Sequence, residues 1–520
     1  MIKERRQRNF VFFGSSAVTL CIVVWGVVSP QGLGNLANGV FSFLIDRFGW
    51  LYIAVMSALL LFSVVIAMSR FGRIVLGKPG DRPEFSNFSW LAMLFSGSMG
   101  IGLVFYSVGE PLMHFMAPPV ADPKSIEAAS QAMQITFFHW GLHPWSGFCV
   151  MGLAMAYAQY RRKAPALISS ILVPLGGETL ARGAFGQIID ILTIFATLAG
   201  LGTSLGLGAM QIASGLNHLL GVPDVVTTQL AVIVGVAVVY IGAAISGINR
   251  GIKLISDLNL WLAFLIMIVM FFVGPSVAML RSLLDGIAYY FSGLIKESFH
   301  MAPYGGAFAD WLGGWTVFYW AWWIAWAPFA GSFIARVSRG RTVREFITGA
   351  LLAPSLGTFV WFAIFGTAGI HLEINGIAPV GQAVVENIST GLYKVFACYP
   401  LGKILSGLAA LLVATFFITS GQAASLVLAM YSEEGVENPS RGKVALWGAL
   451  LAALAAVLLF SGGLKALQTI SIVAAFPFSI VMAVACVSIW RGMSRDPVVR
   501  DEIAQSLRAD MGVSDTEYSL

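Results

Sequence analysis

Apolar runs, each about as long as a bilayer is thick, follow one another along almost the whole chain. A helix needs about 20 consecutive apolar residues to cross the hydrocarbon core, because every backbone polar group must be satisfied inside the segment. We count twelve such runs: 10–30, 50–69, 89–115, 132–159, 185–216, 227–247, 254–274, 314–335, 346–369, 404–431, 444–461 and 467–490. Only 11% of the residues are charged, against about 25% in a soluble domain. The pattern predicts an all-α, polytopic membrane protein with twelve transmembrane helices.

The basic residues are distributed unevenly between the two sides of these runs. If residues 1–9 are cytoplasmic, 24 of the 31 Lys and Arg residues fall on the cytoplasmic side and 7 on the outer side. Cytoplasmic connections carry such an excess in membrane proteins, so the bias favours twelve spans with both ends, 1–9 and 491–520, in the cytoplasm. The N-terminus resembles a signal peptide, but the first run has no small-residue cleavage site and more spans follow. We therefore predict an uncleaved first helix.

One further segment, residues 276–300, is apolar but carries a polar stripe. The stripe consists of Arg281, Asp285, Tyr289, Lys296 and Glu297. Such an amphipathic pattern is typical of a helix that lies in the membrane interface, here on the outer face. The tail 491–520 mixes charges of both signs, and we predict a short helix followed by disorder.

Tryptophans cluster in the run 314–335. Five of them fall within twelve positions: Trp315, Trp320, Trp322, Trp323 and Trp326. Tryptophan usually lies at membrane edges, where its N–H stays hydrated. Indole faces bind cations, and quaternary ammonium groups above all, because these offer no N–H for a hydrogen bond. Ordinary packing explains a single tryptophan, but the group, with Trp140 and Trp145 as a facing wall, favours an onium site.

Two other features favour a cation site made of backbone carbonyls and hydroxyls. SGSMGIG at 96–102 contains three glycines, each costing about 1 kcal/mol of helix stability relative to alanine. Close helix packing is the alternative, but the density predicts a local unwinding whose free backbone groups hold an ion or a carboxylate. Hydroxyls at Thr197, Thr203, Ser204, Thr419 and Ser420 are hard oxygen ligands suited to Na⁺, although such hydroxyls usually bond back to their own helix.

Acidic residues are missing from the depth of the predicted spans. Glu110 falls near the outer end of the third run, and Asp190 at the cytoplasmic start of the fifth. Proton-coupled carriers usually have intramembrane carboxyl groups, so this absence favours a carbonyl and hydroxyl site over a proton relay. His139 and His143 have the spacing of half a metal site, but no acidic ligand is close in sequence. We expect interhelical hydrogen bonds from them instead.

Three stretches carry a resemblance to a known family. They are MGIGLVFYSVGEPL (99–112), FFHWGLHPW (137–145) and GGWTVFYWAWWIAWAPFAGSFIARVSRGRTVREF (313–346). Through them, and along nearly its whole length, the chain resembles the betaine–choline–carnitine transporters. The resemblance implies a transporter domain over 10–490 with the five-plus-five inverted repeat of the LeuT-type sodium symporters. Helices 1–2 (10–69) precede the repeats 89–274 and 314–490, and residues 276–300 become an outer helix at a homotrimer interface.

The resemblance also assigns site residues. It implies an aromatic box for the substrate head, with two residues of the glycine segment beside the substrate: Trp140, Trp145, Phe148, Trp322, Trp323, Trp326, Ser98 and Met99. One implied sodium site combines Ser96 and Met99 with Phe416, Thr419 and Ser420. A second combines Thr197 with Phe329, but the family's other threonine is Leu201 here. Leucine cannot ligate, which puts that site in doubt unless Thr203 compensates.

We therefore predict a secondary transporter, and not an enzyme, in a bacterial-type inner membrane. It takes up quaternary ammonium compounds such as glycine betaine, choline or carnitine by sodium symport, with no cofactor besides the coupling Na⁺ and no nucleic-acid partner. Sodium-independent antiport, proton-coupled choline uptake and a non-transporting membrane sensor stay open as alternatives. Gly102 stands where proton-coupled choline carriers tend to have Asp, and no Lys or Arg lies between Arg182 and Arg250, where antiporters place a fixed Arg. The short tail of mixed charge predicts weak or no osmotic regulation.

Overall fold

The computed structural model describes residues 2–78, 80–96, 100–246 and 249–500, and helices dominate all of these ranges. The first ten helices are α1 (Ile2–Val28), α2 (Pro30–Met68), α3 (Asn87–Ser96), α4 (Ile101–Met116), α5 (Ile126–Trp140), α6 (Leu142–Ala156), α7 (Val173–Arg182), α8 (Ala184–Leu220), α9 (Val226–Ser246) and α10 (Asn249–Val273). Eight follow: α11 (Ser276–Phe299), α12 (Ala307–Leu312), α13 (Phe318–Val337), α14 (Val343–Ile374), α15 (Val380–Glu386), α16 (Gly391–Ala397), α17 (Gly402–Ser432) and α18 (Arg441–Ser494). The predicted all-α fold is confirmed.

Eight helices of the described chain are long and apolar enough to cross a membrane, which makes the protein polytopic. They are α1, α2, α8, α9, α10, α14, α17 and α18. The predicted runs 89–115, 132–159 and 314–335 fall on interrupted helices, while 444–461 and 467–490 share α18. The number twelve stays a prediction.

The two runs 10–30 and 50–69 left residues 31–49 as a connection between membrane spans. In the structure these residues are helical and belong to α2. Pro30 stands in the first turn of α2, where a missing N–H costs nothing. The helix then continues for 39 residues, a length of about 58 Å at 1.5 Å per residue. The polar residues of its first half lowered the local hydropathy without breaking the helix.

Two interruptions cut helices that would otherwise cross the molecule. The first adjoins SGSMGIG, where Gly100 is extended, with φ −152° and ψ −165°, before α4 begins. Gly97, Ser98, Met99 and the side chain of Ser96 lie outside the described residues, so the unwinding predicted there stays a prediction. The second break, at Gly141, separates α5 from α6. There the Leu142 N–H donates to the Tyr290 hydroxyl, and the Trp140 carbonyl accepts from the Trp145 indole and the Thr358 hydroxyl. Side chains thus replace the lost ladder bonds, as broken helices inside a membrane require.

Helix α18 bends at a pair of glycines between the last two predicted runs. Gly463 has φ +58°, in the left-handed region, which glycine adopts without steric cost. Elsewhere, residues 276–300 form the predicted helix as α11, which packs against α5 and α14. The centre of the assembly is α13, which carries the tryptophan cluster and packs against α6, α8 and α18.

Candidate functional site

Three tryptophans from two helices meet at the centre of the fold. The Trp140 ring at the end of α5 stands nearly perpendicular to the Trp323 ring, with centroids 4.9 Å apart, and to the Trp322 ring at 6.3 Å. Trp322 and Trp323 stack on each other at 5.3 Å. All three side chains are buried. The structure therefore brings together the core of the predicted box, and in this conformation the rings close on one another.

Phe148 and Trp145 extend this cluster along α6. Phe148 contacts Trp323 at 5.6 Å, and Trp145 contacts Phe148 at 5.5 Å, both edge to face. The Trp145 N–H is bonded to the Trp140 carbonyl. The break at Gly141 lets residues on both sides of it turn toward α13. Five of the six predicted box residues thus form one connected group.

Trp326, the sixth, lies to one side of the group. Its ring contacts Phe329 at 5.5 Å, while its N–H is shared between the Gly200 carbonyl and the Ser204 hydroxyl of α8. The Trp322 N–H also donates to the Gly200 carbonyl, at 3.3 Å. As the spacing predicts, Trp322 and Trp326 share a face of α13, and this face is anchored to α8.

A cavity of about 420 Å³ opens beside Trp326. Its lining includes residues predicted for the box and for both sodium sites: Trp326, Phe329, Phe416, Thr419 and Ser420. Asn259 and Asp257 of α10 also line it, and sequence reasoning missed both. Asn259 donates from its amide nitrogen to the Thr419 hydroxyl at 3.3 Å, and the Thr419 hydroxyl bonds back to carbonyls of its own helix. Oxygen atoms suited to a hard cation therefore gather at the wall of this cavity.

Among the described residues, the second predicted sodium site, at Thr197 and Phe329, lacks a comparable group of oxygen atoms contributed by several helices. The Thr197 hydroxyl donates to the Thr193 carbonyl of its own helix, and no hydrogen bond in the described chain joins it to Phe329. Leu201 is wholly buried. The Thr203 hydroxyl donates to the Leu467 carbonyl of α18 and contacts Ser471. Thr203 is therefore engaged on another helix and does not replace the missing threonine.

Glu110 overturns the expectation that no acid lies near the cluster. Its side chain is wholly buried on α4. Its carboxylate accepts hydrogen bonds from the Trp140 indole at 2.7 Å and from the Tyr319 hydroxyl, and it lies 2.7 Å from His139 Nδ1. Hydropathy along the sequence placed Glu110 near the membrane edge, whereas packing by α5 and α13 places it against the box. Its presence in the MGIGLVFYSVGEPL stretch was the available signal.

His139 and His143, which have the spacing of half a metal site in the sequence, lie on two different helices. α5 ends at Trp140 and α6 begins at Leu142, so His139 and His143 do not share a helical face. His143 contacts the Ser298 hydroxyl of α11, and His139 contacts the Thr316 hydroxyl, so interhelical hydrogen bonds are present as predicted. The ligand atoms of Glu110, His114 and His139 lie within 4.8 Å of one another. Both nitrogens of His139 are hydrogen-bonded, whereas neither ring nitrogen of His114 has a hydrogen-bond partner in the described residues.

Comparisons with known proteins show which sequences this chain resembles. The model of the betaine/carnitine/choline family transporters matches residues 10–498. The glycine betaine transporter OpuD of Bacillus subtilis (strain 168) is 44% identical over 501 residues, which is 96% of both chains. A probable glycine betaine transporter of Desulfitobacterium hafniense (strain Y51) is 43% identical, over 94% of this chain and 98% of that protein. The ectoine/hydroxyectoine transporter of Virgibacillus pantothenticus is 37% identical, over 94% of this chain and 97% of that protein.

Proposed function

We propose that this chain, which belongs to the betaine/carnitine/choline family of transporters, takes up quaternary ammonium compounds of the glycine betaine type by sodium symport. Membership of a family of transporters also agrees with the prediction that the protein is not an enzyme. The observation that carries the substrate class is the buried contact of Trp140, Trp322 and Trp323. Stacked and perpendicular indoles offer negative faces to a cation that has no N–H to donate.

The rings must separate for the substrate to enter. The centroids of Trp140 and Trp323 are 4.9 Å apart, which leaves no room for a trimethylammonium group between them. Trp140 ends α5 beside the break at Gly141, whereas Trp323 lies within α13. Both helices belong to the bundle that would move against the rest of the protein in alternating access. The contact would therefore open by a local shift at the Gly141 break, beside Trp140.

The proposal assigns one sodium ion to the wall of the cavity near Thr419 and Ser420. Support comes from the oxygen atoms gathered there and from the extended backbone of Gly100, at the start of the neighbouring α4. Leu201 and the engagement of Thr203 on α18 argue against a second ion beside Thr197. An inward potential of 100 mV favours the entry of one positive charge by about 2.3 kcal/mol, enough to accumulate a substrate tens of fold.

The remaining parts of the proposal concern assembly and placement. We place the protein in a bacterial inner membrane with both termini in the cytoplasm, in line with the bias of the basic residues. We also propose a homotrimer with α11 at the contact. Several of its outward side chains are apolar, with Leu284 70% and Ile295 78% exposed. Light scattering of the protein in detergent distinguishes a trimer from a monomer.

Uptake by the purified protein in liposomes tests the function. Labelled glycine betaine, choline, carnitine and ectoine are supplied with an inward Na⁺ gradient, with an equal K⁺ gradient, or with a proton gradient in the absence of Na⁺. We expect accumulation of at least one onium substrate only with Na⁺. Uptake that is unchanged without Na⁺ would remove sodium symport, uptake driven by protons would favour the buried Glu110 as a coupling group, and no uptake would remove the transport proposal.

A further inference from the structure

The Glu110 carboxylate is surrounded by hydrogen-bond donors from two neighbouring helices. Oε2 accepts from the Trp140 indole and the Tyr319 hydroxyl, and Oε1 faces His139 Nδ1 at 2.7 Å. An indole N–H can only donate, and donors of this kind stabilise an ionised carboxylate. These donors therefore favour a negative charge on Glu110, although aromatic rings enclose the carboxylate.

His139 does not need to carry a positive charge to satisfy its contacts. His139 Nε2 lies 2.9 Å from the Thr316 hydroxyl, so a neutral ring that donates from Nδ1 and accepts at Nε2 satisfies both contacts. His114 Nε2 is 3.4 Å from Glu110 Oε1, and neither of its ring nitrogens has a hydrogen bond. In the described part of the chain, no Lys or Arg nitrogen lies within 4 Å of this carboxylate. Among the described side chains the carboxylate therefore has no Lys or Arg counter-ion, and the unbonded His114 nitrogen at 3.4 Å is the nearest basic group besides His139.

The box is the nearest place where a cation would compensate this charge. Trp140 donates its N–H to Glu110, and its ring stands against Trp322 and Trp323. The Trp323 indole in turn donates to the carbonyl of His139, so both walls of the box are bonded to the Glu110 network. A negative acceptor on the N–H increases the electron density of an indole ring, and a ring richer in electrons attracts a cation more strongly.

We propose that Glu110 is the buried counter-charge of the onium site, a specificity residue that acts through Trp140 to favour a cationic head over a neutral one of the same shape. This inference rests on the proposed function, since it concerns the same substrate. It goes beyond that function because it names Glu110 as a source of the preference for a charged head over a neutral one. The aromatic faces alone account for only part of this preference. Tyr319 and His139 are then positioning residues that orient the carboxylate.

A pair of isosteric ligands separates charge from shape. Glycine betaine and tert-butylacetate carry the same carboxylate and a head of the same size, but only the first head is charged. Competition against labelled glycine betaine uptake in liposomes gives the affinity of each ligand. In the native protein we expect a strong preference for glycine betaine. In Glu110→Gln we expect this preference to fall by about tenfold or more, because a charge in a low-dielectric site is lost.

Glu373→Gln is the matched control. Glu373 is also largely buried, but it binds Lys124 and the Gly381 N–H at the end of α14. It should leave the preference unchanged. If Glu110→Gln leaves the ratio of the two affinities unchanged, the proposal is overturned. Equal weakening of both ligands would show that the residue is only structural. Failure of the native protein to take up any onium substrate would instead remove the proposed function, so the two failures are distinguishable.

A second variant keeps the test decisive if Glu110→Gln does not fold. Trp140→Phe keeps an aromatic face but removes the N–H that contacts the carboxylate. The proposal expects this variant to lose part of the preference for the charged head, whereas Trp447→Phe, which loses an N–H bonded to the Ser432 hydroxyl away from the box, should keep it. Equal preference in both variants would contradict the route through Trp140.

Discussion

Gly102 of α4 lies against the face of Trp322 so closely that a Cβ atom at this position would come 2.3 Å from the indole Cη2. Cβ atoms in folded proteins essentially never have contacts under 3 Å, so the ring would have to move. Glycine at position 102 thus fixes where one wall of the aromatic cluster stands. It also connects the helix that follows the SGSMGIG segment to the onium site.

Gly102→Ala should therefore lower substrate affinity. Displacing a packed ring typically costs about 1–3 kcal/mol, which corresponds to a KM for glycine betaine about tenfold or more above the native value. The measurement is uptake in liposomes at saturating Na⁺. Gly235→Ala is the control, because a Cβ atom at this position on α9 would have no neighbour within 4 Å. Native affinity in Gly102→Ala would show that Trp322 can shift without affecting binding.

Trp323→Leu should abolish substrate binding while the protein still assembles. Trp323 contacts Trp140, Trp322 and Phe148, so leucine removes a shared face from the whole cluster. A desolvated indole face is worth about 2 kcal/mol or more to a bound cation. The checks are equilibrium binding in detergent and size-exclusion chromatography for assembly.

Trp447→Leu serves as the control for this loss. Trp447 is equally buried but donates to Ser432 on the neighbouring α17, away from the box. It should lower thermal stability and leave affinity near the native value. If Trp323→Leu retains native affinity, the box is misassigned.

The architecture and the aromatic core could be predicted from the sequence, because each depends on local patterns. Apolar length predicts helices, and glycine density agrees with the extended Gly100 that precedes α4. The spacing of Trp322 and Trp326 places them on one face of a helix. These inferences need only the residues of a single segment.

Partners across helices could not be predicted. Glu110 meets His139 and Tyr319 only because α4, α5 and α13 pack together, and no periodicity within one helix encodes that contact. The break at Gly141 is held by Tyr290 and Thr358, which are distant in sequence. Thr203 likewise donates to Leu467 of α18, a residue distant in sequence. Broken helices were missed wherever their stabilising groups came from elsewhere in the chain.

Thr419→Ala should weaken sodium dependence specifically. Thr419 lines the cavity and accepts a hydrogen bond from Asn259, and alanine removes one hard oxygen ligand. We expect the Na⁺ concentration for half-maximal uptake to rise by about tenfold, the equivalent of roughly 1.4 kcal/mol. Thr415→Ala, one turn earlier and bonded to the carbonyls of Leu411 and Leu412, is the control and should leave it unchanged. Equal effects in both variants would contradict a sodium role for Thr419.

Cys398 reports the orientation of the chain. It is exposed between α16 and α17, on the side predicted to be external. A membrane-impermeant maleimide should label it on intact cells, and Cys398→Ser should abolish this labelling. Partial burial raises the pKa of the Cys398 thiol. Since the thiolate is the reactive form, labelling should be slow at neutral pH and accelerate as the pH rises past the usual thiol range. If Cys398 is labelled only after the membrane is permeabilised, it faces the cytoplasm and the predicted orientation is wrong.

Asp496 holds the start of the C-terminal tail against the transporter domain. Its carboxylate binds Arg161 through Nε and Nη2 and accepts from the Tyr157 hydroxyl, while Arg161 Nη1 donates to the Gly77 carbonyl. Both charged side chains are nearly buried, at 9% and 3% exposed. Asp496→Asn should therefore destabilise the protein by about 3–5 kcal/mol, because the Arg161 charge is left buried without its partner. A fall in the unfolding temperature in detergent measures this loss.

Two comparisons separate the buried pair from a general effect of charge. Glu178→Gln breaks the exposed Glu178–Arg182 pair on α7, and surface pairs contribute little, so the unfolding temperature should barely change. The double variant Arg161→Leu with Asp496→Asn removes both charges and should recover part of the lost stability, because the penalty lies in the unpaired charge. If Asp496→Asn alone unfolds at the native temperature, the pair does not hold the tail, and the start of the tail is stabilised by packing of Val499 and its neighbours instead.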